Sequence, residues 1–339
     1  MISPPPRYEF ASDNTAGLAP EALQAVIAEN TGFSAAYGRD DTTRKAADLL
    51  RALLDTDAEV HFVGSGTAAN GVALSCLCRP FESVLAYEGA HIRTDEAGAP
   101  SFFGGGLALS GLPGRSGRVR ASALEAALAR PDGAHLQSPA ALSLANATEY
   151  GAVYDADELT ELVGLARKHG VRVHLDGARL ANAVAAGFDP KRLSTLGLDV
   201  LVVGAAKAGG ATSEAVVLFD RSLARRFDAR LKQAGHLPAK SRFLTAPWLG
   251  LLTDNAWVRH AGHANEMARR LAAALPFRPI HPVQTNAVFI RPPDHVQLAL
   301  RRRGWIAYPF PDGTIRLMCS WATTEEMIDE LASDIKEAA

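Results

Sequence analysis

Lys207 lies in "LDVLVVGAAKAGGATSEAVVLF", where two apolar, strand-like runs flank it and alanine and glycine are its immediate neighbours. The other lysines, Lys45, Lys168, Lys191, Lys232, Lys240 and Lys336, sit among charged or helix-surface residues. A lysine surrounded by small residues is sterically open and poorly solvated, the setting in which an amine loses its proton and becomes a nucleophile. A second chemical residue, Asp176, closes the apolar run of "VRVHLDGARLANA", with Arg179 one short turn beyond it. A buried carboxylate is costly unless a positive group faces it. Either these two form a core ion pair, or both face something that is not protein. The third feature is "VGSGTAAN", where Ser65, Gly66 and Thr67 stand between a strand and a helix. Free backbone N–H groups and the positive helix end meet there, as in a phosphate cradle, although such turns are also plain connections. The lysine of a nucleotide P-loop is missing, which disfavours ATP.

A phosphate cradle, an open lysine and a strand-end carboxylate are together the requirements of pyridoxal 5′-phosphate. The lysine forms the Schiff base, and the carboxylate keeps the pyridine nitrogen protonated as an electron sink. The 31 residues from Asp176 to Lys207 accommodate a helix and a return strand between adjacent strand ends. Arg316, in "TIRLMCSW", is a lone charge in an apolar strand, either a snorkelling edge residue or a bidentate clamp for an amino-acid carboxylate. On its own His91 reads first as a satisfied core histidine, Ser12 as a helix cap and Lys232 as a solvated helix residue.

These residues need a frame. "PEALQAVIAENTG" and "TTRKAADLLRALL" have helical spacing, "AEVHFV" reads as a strand, and "GSGTAANGVALSCLC" as a turn into a small-residue helix. "SVLAYEGAH" and "AALSLANATEYGAVY" are strand-like, the latter turning irregular, and "SALEAALAR" is helical. "DADELTELVGLARKHG" is a helix with Asp155 and Glu158 as capping box and Gly170 as its stop. Such alternation predicts an α/β fold with a mostly parallel sheet whose ligand site lies at the carboxyl ends of its strands. From Asp254 the texture changes to a long amphipathic helix, short strands at "TNAVFIRP", "GWIAYPF" and "TIRLMCSW", and a last helix boxed by Thr323 and Glu326. The expected division is an arm and large domain over 1–253 and a smaller α+β domain over 254–339.

The 339 residues carry a net charge of −2 with both signs dispersed and no basic run, which argues against a nucleic-acid partner and for a small molecule. Three cysteines, Cys76, Cys78 and Cys319, have no metal-ligand spacing, so no metal is expected. With no leader-like start and no membrane-length apolar run, the expectation is a cytoplasmic protein off the membrane.

The chain resembles the low-specificity L-threonine aldolases, in the β-eliminating lyase group of the PLP-dependent transferase-like (fold type I) proteins. The similar segments run in order over nearly the whole length: "FASDNTAGLAPEAL", "YGRDD", "GSGTAAN", "AHIRTDEAGAP", "ATEYGAVY", "HLDGARLANA", "AAKAGGATSEAVV", "LKQAGHLPAKSRFL" and "IRLMCSW". The resemblance implies that Lys207 carries the cofactor, that Asp176 holds the ring nitrogen, and that Arg179 contacts ring or substrate. It implies the phosphate loop at Ser65, Gly66 and Thr67, His91 stacked on the ring, and His135 of "DGAHLQS" as a second active-site histidine. It favours Arg316 as the carboxylate clamp, with Ser12 as its helper. Tyr37 and Lys232 match segments that reach a neighbouring subunit's pocket, so a homodimer or homotetramer is implied. The implied reaction splits a β-hydroxy-α-amino acid into glycine and an aldehyde. Alternatives are an aldolase for β-aryl-serines, another lyase or aminotransferase of this fold, a cofactor-binding protein without turnover, and a structural interaction protein. "KAGGATSE", with no bulky residue after the lysine, and Arg39, which interrupts an acidic "YGDD", depart from the family pattern beside the expected pocket.

Overall fold

Alternating strands and helices of the first two thirds of the chain form one seven-stranded sheet with helices on both faces. The computed structural model describes residues 4–131, 133–310 and 313–339, so the first three residues of the arm lie outside it. First come α1 (Pro20–Glu29), α2 (Asp41–Leu54), β1 (Glu59–Val63), α3 (Gly66–Leu77), β2 (Ser83–Tyr87), α4 (His91–Thr94) and α5 (Ala99–Phe103). Then follow β3 (Ala108–Leu112), the hairpin of β4 (Gly114–Arg115) and β5 (Arg118–Val119), α6 (Ala121–Leu128) and β6 (Pro139–Ala145). The sheet is completed by β7 (Arg172–Gly177), β8 (Val200–Gly204) and β9 (Glu214–Leu218), with α7 (Ala156–Lys168) before β7 and α8 (Leu180–Ala185) after it. The remainder is α9 (Phe227–Gln233), α10 (Ser241–Leu252), α11 (Ala256–Ala274), β10 (Ala287–Ile290), α12 (Asp294–Arg302), β11 (Tyr308–Pro309), β12 (Ile315–Met318) and α13 (Glu325–Ala338).

The strand order is β1-β9-β8-β7-β6-β2-β3. β3, β2, β6, β7 and β8 run parallel, and only β9 is antiparallel to its neighbours, β8 and β1. The carboxyl ends of β1, β6, β7 and β8 therefore share one edge with the amino end of β9. Strand alternation divides the core. Val173, Leu175, Leu201, Val203, Ala215 and Val217 join one apolar cluster, while Val200, Val202, Val216 and Leu218 join another with Ala69, Val72 and Ala73 of α3. His174 and Asp176 occupy the intervening positions of β7 and so face α3. Gly177 must lack a side chain, because a Cβ there would lie 2.4 Å from the carbonyl oxygen of Val202.

A third cluster joins α11, α12 and α13 to the separate sheet β10-β12-β11, through Leu271, Val288, Ile290, Leu300, Leu317, Leu331 and Ile335. Phe10 of the arm belongs to it, and the Arg7 guanidinium lies 3.6 Å over the Trp305 ring. Two expectations need correction. The strand in "GWIAYPF" is only Tyr308–Pro309. The last helix is capped by Thr324, which accepts from the Met327 N–H, because the Thr323 hydroxyl instead accepts the Ser320 N–H in the preceding turn.

Candidate active site

Asp176 and Arg179 do not pair. The Arg179 guanidinium makes a two-pronged contact with Asp13, Nε to Oδ2 at 2.7 Å and a terminal nitrogen to Oδ1 at 2.9 Å. Burial alone would raise the Asp13 carboxyl, but the charge and hydrogen bonds of Arg179, helped by Lys207 and Arg316, outweigh it and hold it at about 2. Asp176 accepts the Ala178 N–H on Oδ1 at 2.8 Å and Asn70 Nδ2 on Oδ2 at 2.9 Å. Against burial, the Ala178 N–H, His174, Lys207 and Asn70 keep Asp176 below the usual carboxylate range. It is thus an ionised carboxylate without an arginine, at the end of β7, as a protonated ring nitrogen requires.

Lys207 sits half-buried on the 3-10 turn Ala206–Ala208 that follows β8. Gly209 ends that turn at φ +94°, a left-handed conformation natural to glycine. The lysine's charge is felt by Asp13, Asp176 and His91. His91 opens α4, and its Nδ1 lies 2.8 Å from Glu96 Oε1. Asn70 Nδ2 donates to the same oxygen at 2.8 Å, so one amide joins Glu96 to Asp176. The hydrogen bond to Glu96 raises His91, while burial raises Glu96. The backbone N–H of His91 is fixed by Glu149 Oε1 at 2.8 Å.

Ser65 caps α3, its Oγ accepting the Ala68 N–H at 3.2 Å. Gly66 and Thr67 form the first turn, where backbone N–H groups have no partner within the helix. Arg316 is largely buried on β12, its Nε has no hydrogen-bond partner among the described residues, and the Tyr308 and Phe310 rings lie 5.9 and 5.8 Å from its guanidinium carbon. Burial, with the like charge of Arg179, lowers it to about 10 against the pull of Asp13 and Asp95. Ser12 is buried; its Oγ accepts the Asn14 N–H at 3.2 Å in a turn beside Asp13. Lys232 Nζ lies 4.2 Å from the Tyr37 ring centre, so two segments remote in sequence meet on one exposed surface.

His135 requires correction. It lies on the loop entering β6, whose neighbour Gln137 bonds to Pro80 and Ser83, whereas the site lies beyond Ala145. The length of β6 separates the two, roughly 20 Å at the usual rise per residue. Within one chain His135 is not part of this site. Reasoning from sequence missed Asp13, Asn70, Glu96, Glu149 and Asn286, the last donating to Asp13 Oδ2 at 3.0 Å. Asp13 and Asn70 fall inside the segments "SDN" and "GTAAN", and Glu96 follows His91 by five residues, yet only tertiary packing reveals their partners.

The residues suit pyridoxal 5′-phosphate: an open lysine, an ionised carboxylate with no arginine paired to it, and a helix start whose first N–H groups have no partner within the helix, beside an arginine whose Nε is unpartnered among the described residues. The profile of the β-eliminating lyase family matches residues 9–294. A low specificity L-threonine aldolase of a Pseudomonas species is 45% identical over 336 residues, 97% of each chain. A threonine aldolase structure from Leishmania major superposes with a TM-score of 0.92 at 32% identity, covering 98% of this chain and 99% of that one. Aspartate aminotransferase from Thermus thermophilus shares the fold, with a TM-score of 0.71 at 18% identity over 96% and 89% of the two chains. Fold and family together define a pyridoxal-phosphate-dependent carbon–carbon lyase of α/β architecture. The chain belongs to the β-eliminating lyase family and, within it, to the low-specificity L-threonine aldolases.

Proposed function

We propose that this chain cleaves L-threonine or L-allo-threonine reversibly to glycine and acetaldehyde. The observation that carries the reading is Arg316: a largely buried guanidinium whose Nε is unpartnered among the described residues, under the charges of Asp13 and Arg179, in a site that Lys207 also influences. Such a fork suits two parallel hydrogen bonds to an amino-acid carboxylate. Lys207 would attach the cofactor, Gly66, Thr67 and Ser65 would hold its phosphate, and Asp176 would keep a proton on its ring nitrogen. When bound, that cofactor supplies the electron sink for the pair released from the Cα–Cβ bond. Asn70 and the Ala178 N–H fix the Asp176 carboxylate in place. His91, oriented through Nδ1 by Glu96, would lie against the ring and leave Nε2 to take the β-hydroxyl proton. Arg179, held by Asp13, adds positive charge beside the substrate carboxylate, and Ser12 supports the turn that presents Asp13.

A second reading, a preference for β-aryl-serines, draws on the Tyr308 and Phe310 rings beside Arg316; kcat/KM for threonine against phenylserine separates the two. We also propose the division into 1–253 and 254–339 with the arm bridging both, a homodimer or homotetramer, and a cytoplasmic location. No helix among the described residues is long and apolar enough to cross a membrane.

The primary test is borohydride reduction followed by peptide mass mapping. Label is expected on Lys207 alone, and Lys207→Ala is expected to lose both label and threonine cleavage. A mutant that still fixes cofactor and releases acetaldehyde would remove the assignment.

A further inference from the structure

Asn70 stands one turn into α3, just beyond the Ser65–Thr67 loop, and is buried. Its Nδ2 makes two hydrogen bonds, to Asp176 Oδ2 on β7 at 2.9 Å and to Glu96 Oε1, between α4 and α5, at 2.8 Å. Glu96 Oε1 in turn lies 2.8 Å from His91 Nδ1. One nitrogen thus joins the carboxylate expected at the ring nitrogen to the histidine expected on the ring. The side chain is matched to this place. A primary amide nitrogen carries two protons, and both are used. Turned over, the amide would set its carbonyl oxygen against two carboxyl groups. Asn70 Oδ1 has no hydrogen-bond partner among the described residues, a cost to stability that the two donors must offset. Gly71 lets α3 come close to α5, since a Cβ there would lie 2.6 Å from Cδ2 of Phe103.

We propose that Asn70 is a positioning residue that holds Asp176 and the Glu96–His91 pair as one unit, so that His91 keeps its proton on Nδ1 and presents a bare Nε2. The inference rests on the reading of His91 as the base. Because Glu96 Oε1 already receives an Asn70 N–H, it acts as an acceptor, and the Nδ1–H of His91 is the donor that fits its remaining lone pair. A neutral imidazole protonated on Nδ1 has its free lone pair on Nε2. The competing arrangement puts the proton on Glu96 and turns it towards Nδ1, which leaves Nε2 as N–H and unable to act as a base. Burial favours that arrangement by raising the Glu96 carboxyl, and the hydrogen bonds from His91 and Asn70 oppose it. The other charged groups that face the pair are Asp176, Lys207 and Glu149, the last accepting the backbone N–H of His91.

The test is nitrogen-15 NMR of the cofactor-free chain labelled at histidine, with His91 assigned by the loss of its signals in His91→Gln. At a pH where the ring is neutral, native His91 is expected to show a protonated Nδ1 and a bare Nε2, the reverse of the preference of free histidine. In Asn70→Ala most of the population is expected to shift to the Nε2–H form. Superimposable His91 signals in the native chain and Asn70→Ala would overturn the proposal. Should Asn70→Ala not fold, the native spectrum decides alone: His91 protonated on Nε2 overturns the proposal. In the loaded enzyme Asn70→Ala is expected to lower kcat for threonine roughly 100-fold, the low end of what a positioned base contributes, with the apparent binding constant for glycine unchanged. An unchanged kcat overturns the proposal equally. If His91 is not the base, His91→Gln will still cleave threonine, a result separate from the cofactor-free spectra.

Discussion

A guanidinium kept largely buried with its Nε unsatisfied among the described residues costs stability, and the carboxylate of a bound amino acid would relieve that cost. Arg316→Lys is expected to raise the apparent binding constant for glycine roughly 10- to 100-fold, the worth of one lost charge-assisted hydrogen bond. Cofactor absorbance should stay intact, because Lys207 and Asp176 are untouched. An unchanged constant in a glycine titration would make Arg316 a strand residue without a substrate role. The same residue shows what a sequence can convey. Arg316, Lys207 and Asp176 stood out because each is a charge in an apolar or small-residue setting, an anomaly visible in one dimension. Asp13, Asn70 and Glu96 are polar residues in ordinary polar or helical contexts. Their importance lies in meetings across the chain, Asp13 with Arg179 and Asn70 with both Asp176 and Glu96, which no local pattern encodes. The Asp176–Arg179 pair, plausible from proximity in sequence, fails because Asp13 takes the arginine's Nε and one terminal nitrogen while Asn70 and the Ala178 N–H occupy the Asp176 oxygens.

Elements were most legible where start and stop signals were local. Asp155 and Glu158 form the reciprocal box at the head of α7, with Glu158 N–H to Asp155 Oδ1 at 2.8 Å and Asp155 N–H to Glu158 Oε2 at 3.0 Å. α7 connects β6 to β7, and its Leu159, Leu162, Val163 and Ala166 are buried against the sheet. Asp155→Ala should therefore destabilise the chain by about 1 kcal/mol, the usual cost of a lost N-cap. Urea denaturation would read it as a lowered midpoint at unchanged slope, while a midpoint matching the native chain would mean solvent replaces the cap without loss. The start of α13 was misread by one residue for a reason of the same kind. Thr323 and Thr324 both offer a hydroxyl, and the choice between them is made by the turn after β12, which uses Thr323 to hold the Ser320 N–H. Similarly, His135 lies where relatives have a second active-site histidine, though the sequence around it matches poorly, and the direction of β6 carries its loop to the far edge of the sheet within one chain.

Seen as a whole, the single chain leaves an apolar surface open along one segment. Leu23, Ile27, Phe33 and Tyr37 are all exposed, and Lys232 rests on the Tyr37 ring beside them. Large apolar side chains concentrated in this way mark an association surface. The commonest closed arrangement for one soluble chain is a two-fold pair, in which the same patch meets itself. The segments concerned, "AYGRDD" and "LKQAG", are those that the family resemblance places at a neighbour's pocket. Assembly and cofactor retention should then be linked by mass action, since a group bound across an interface stabilises the pair and is lost with it. Dilution is expected to lower specific activity and bound cofactor together, and added cofactor should shift the loss to lower protein concentration. Phe33→Asp, which places a charge in the patch while leaving Lys207, Asp176 and Arg316 in place, should move that transition to higher concentration. Light scattering combined with activity measurement decides the matter: a fully active, cofactor-loaded monomer would show that the exposed segment serves another purpose and that one chain completes the site alone.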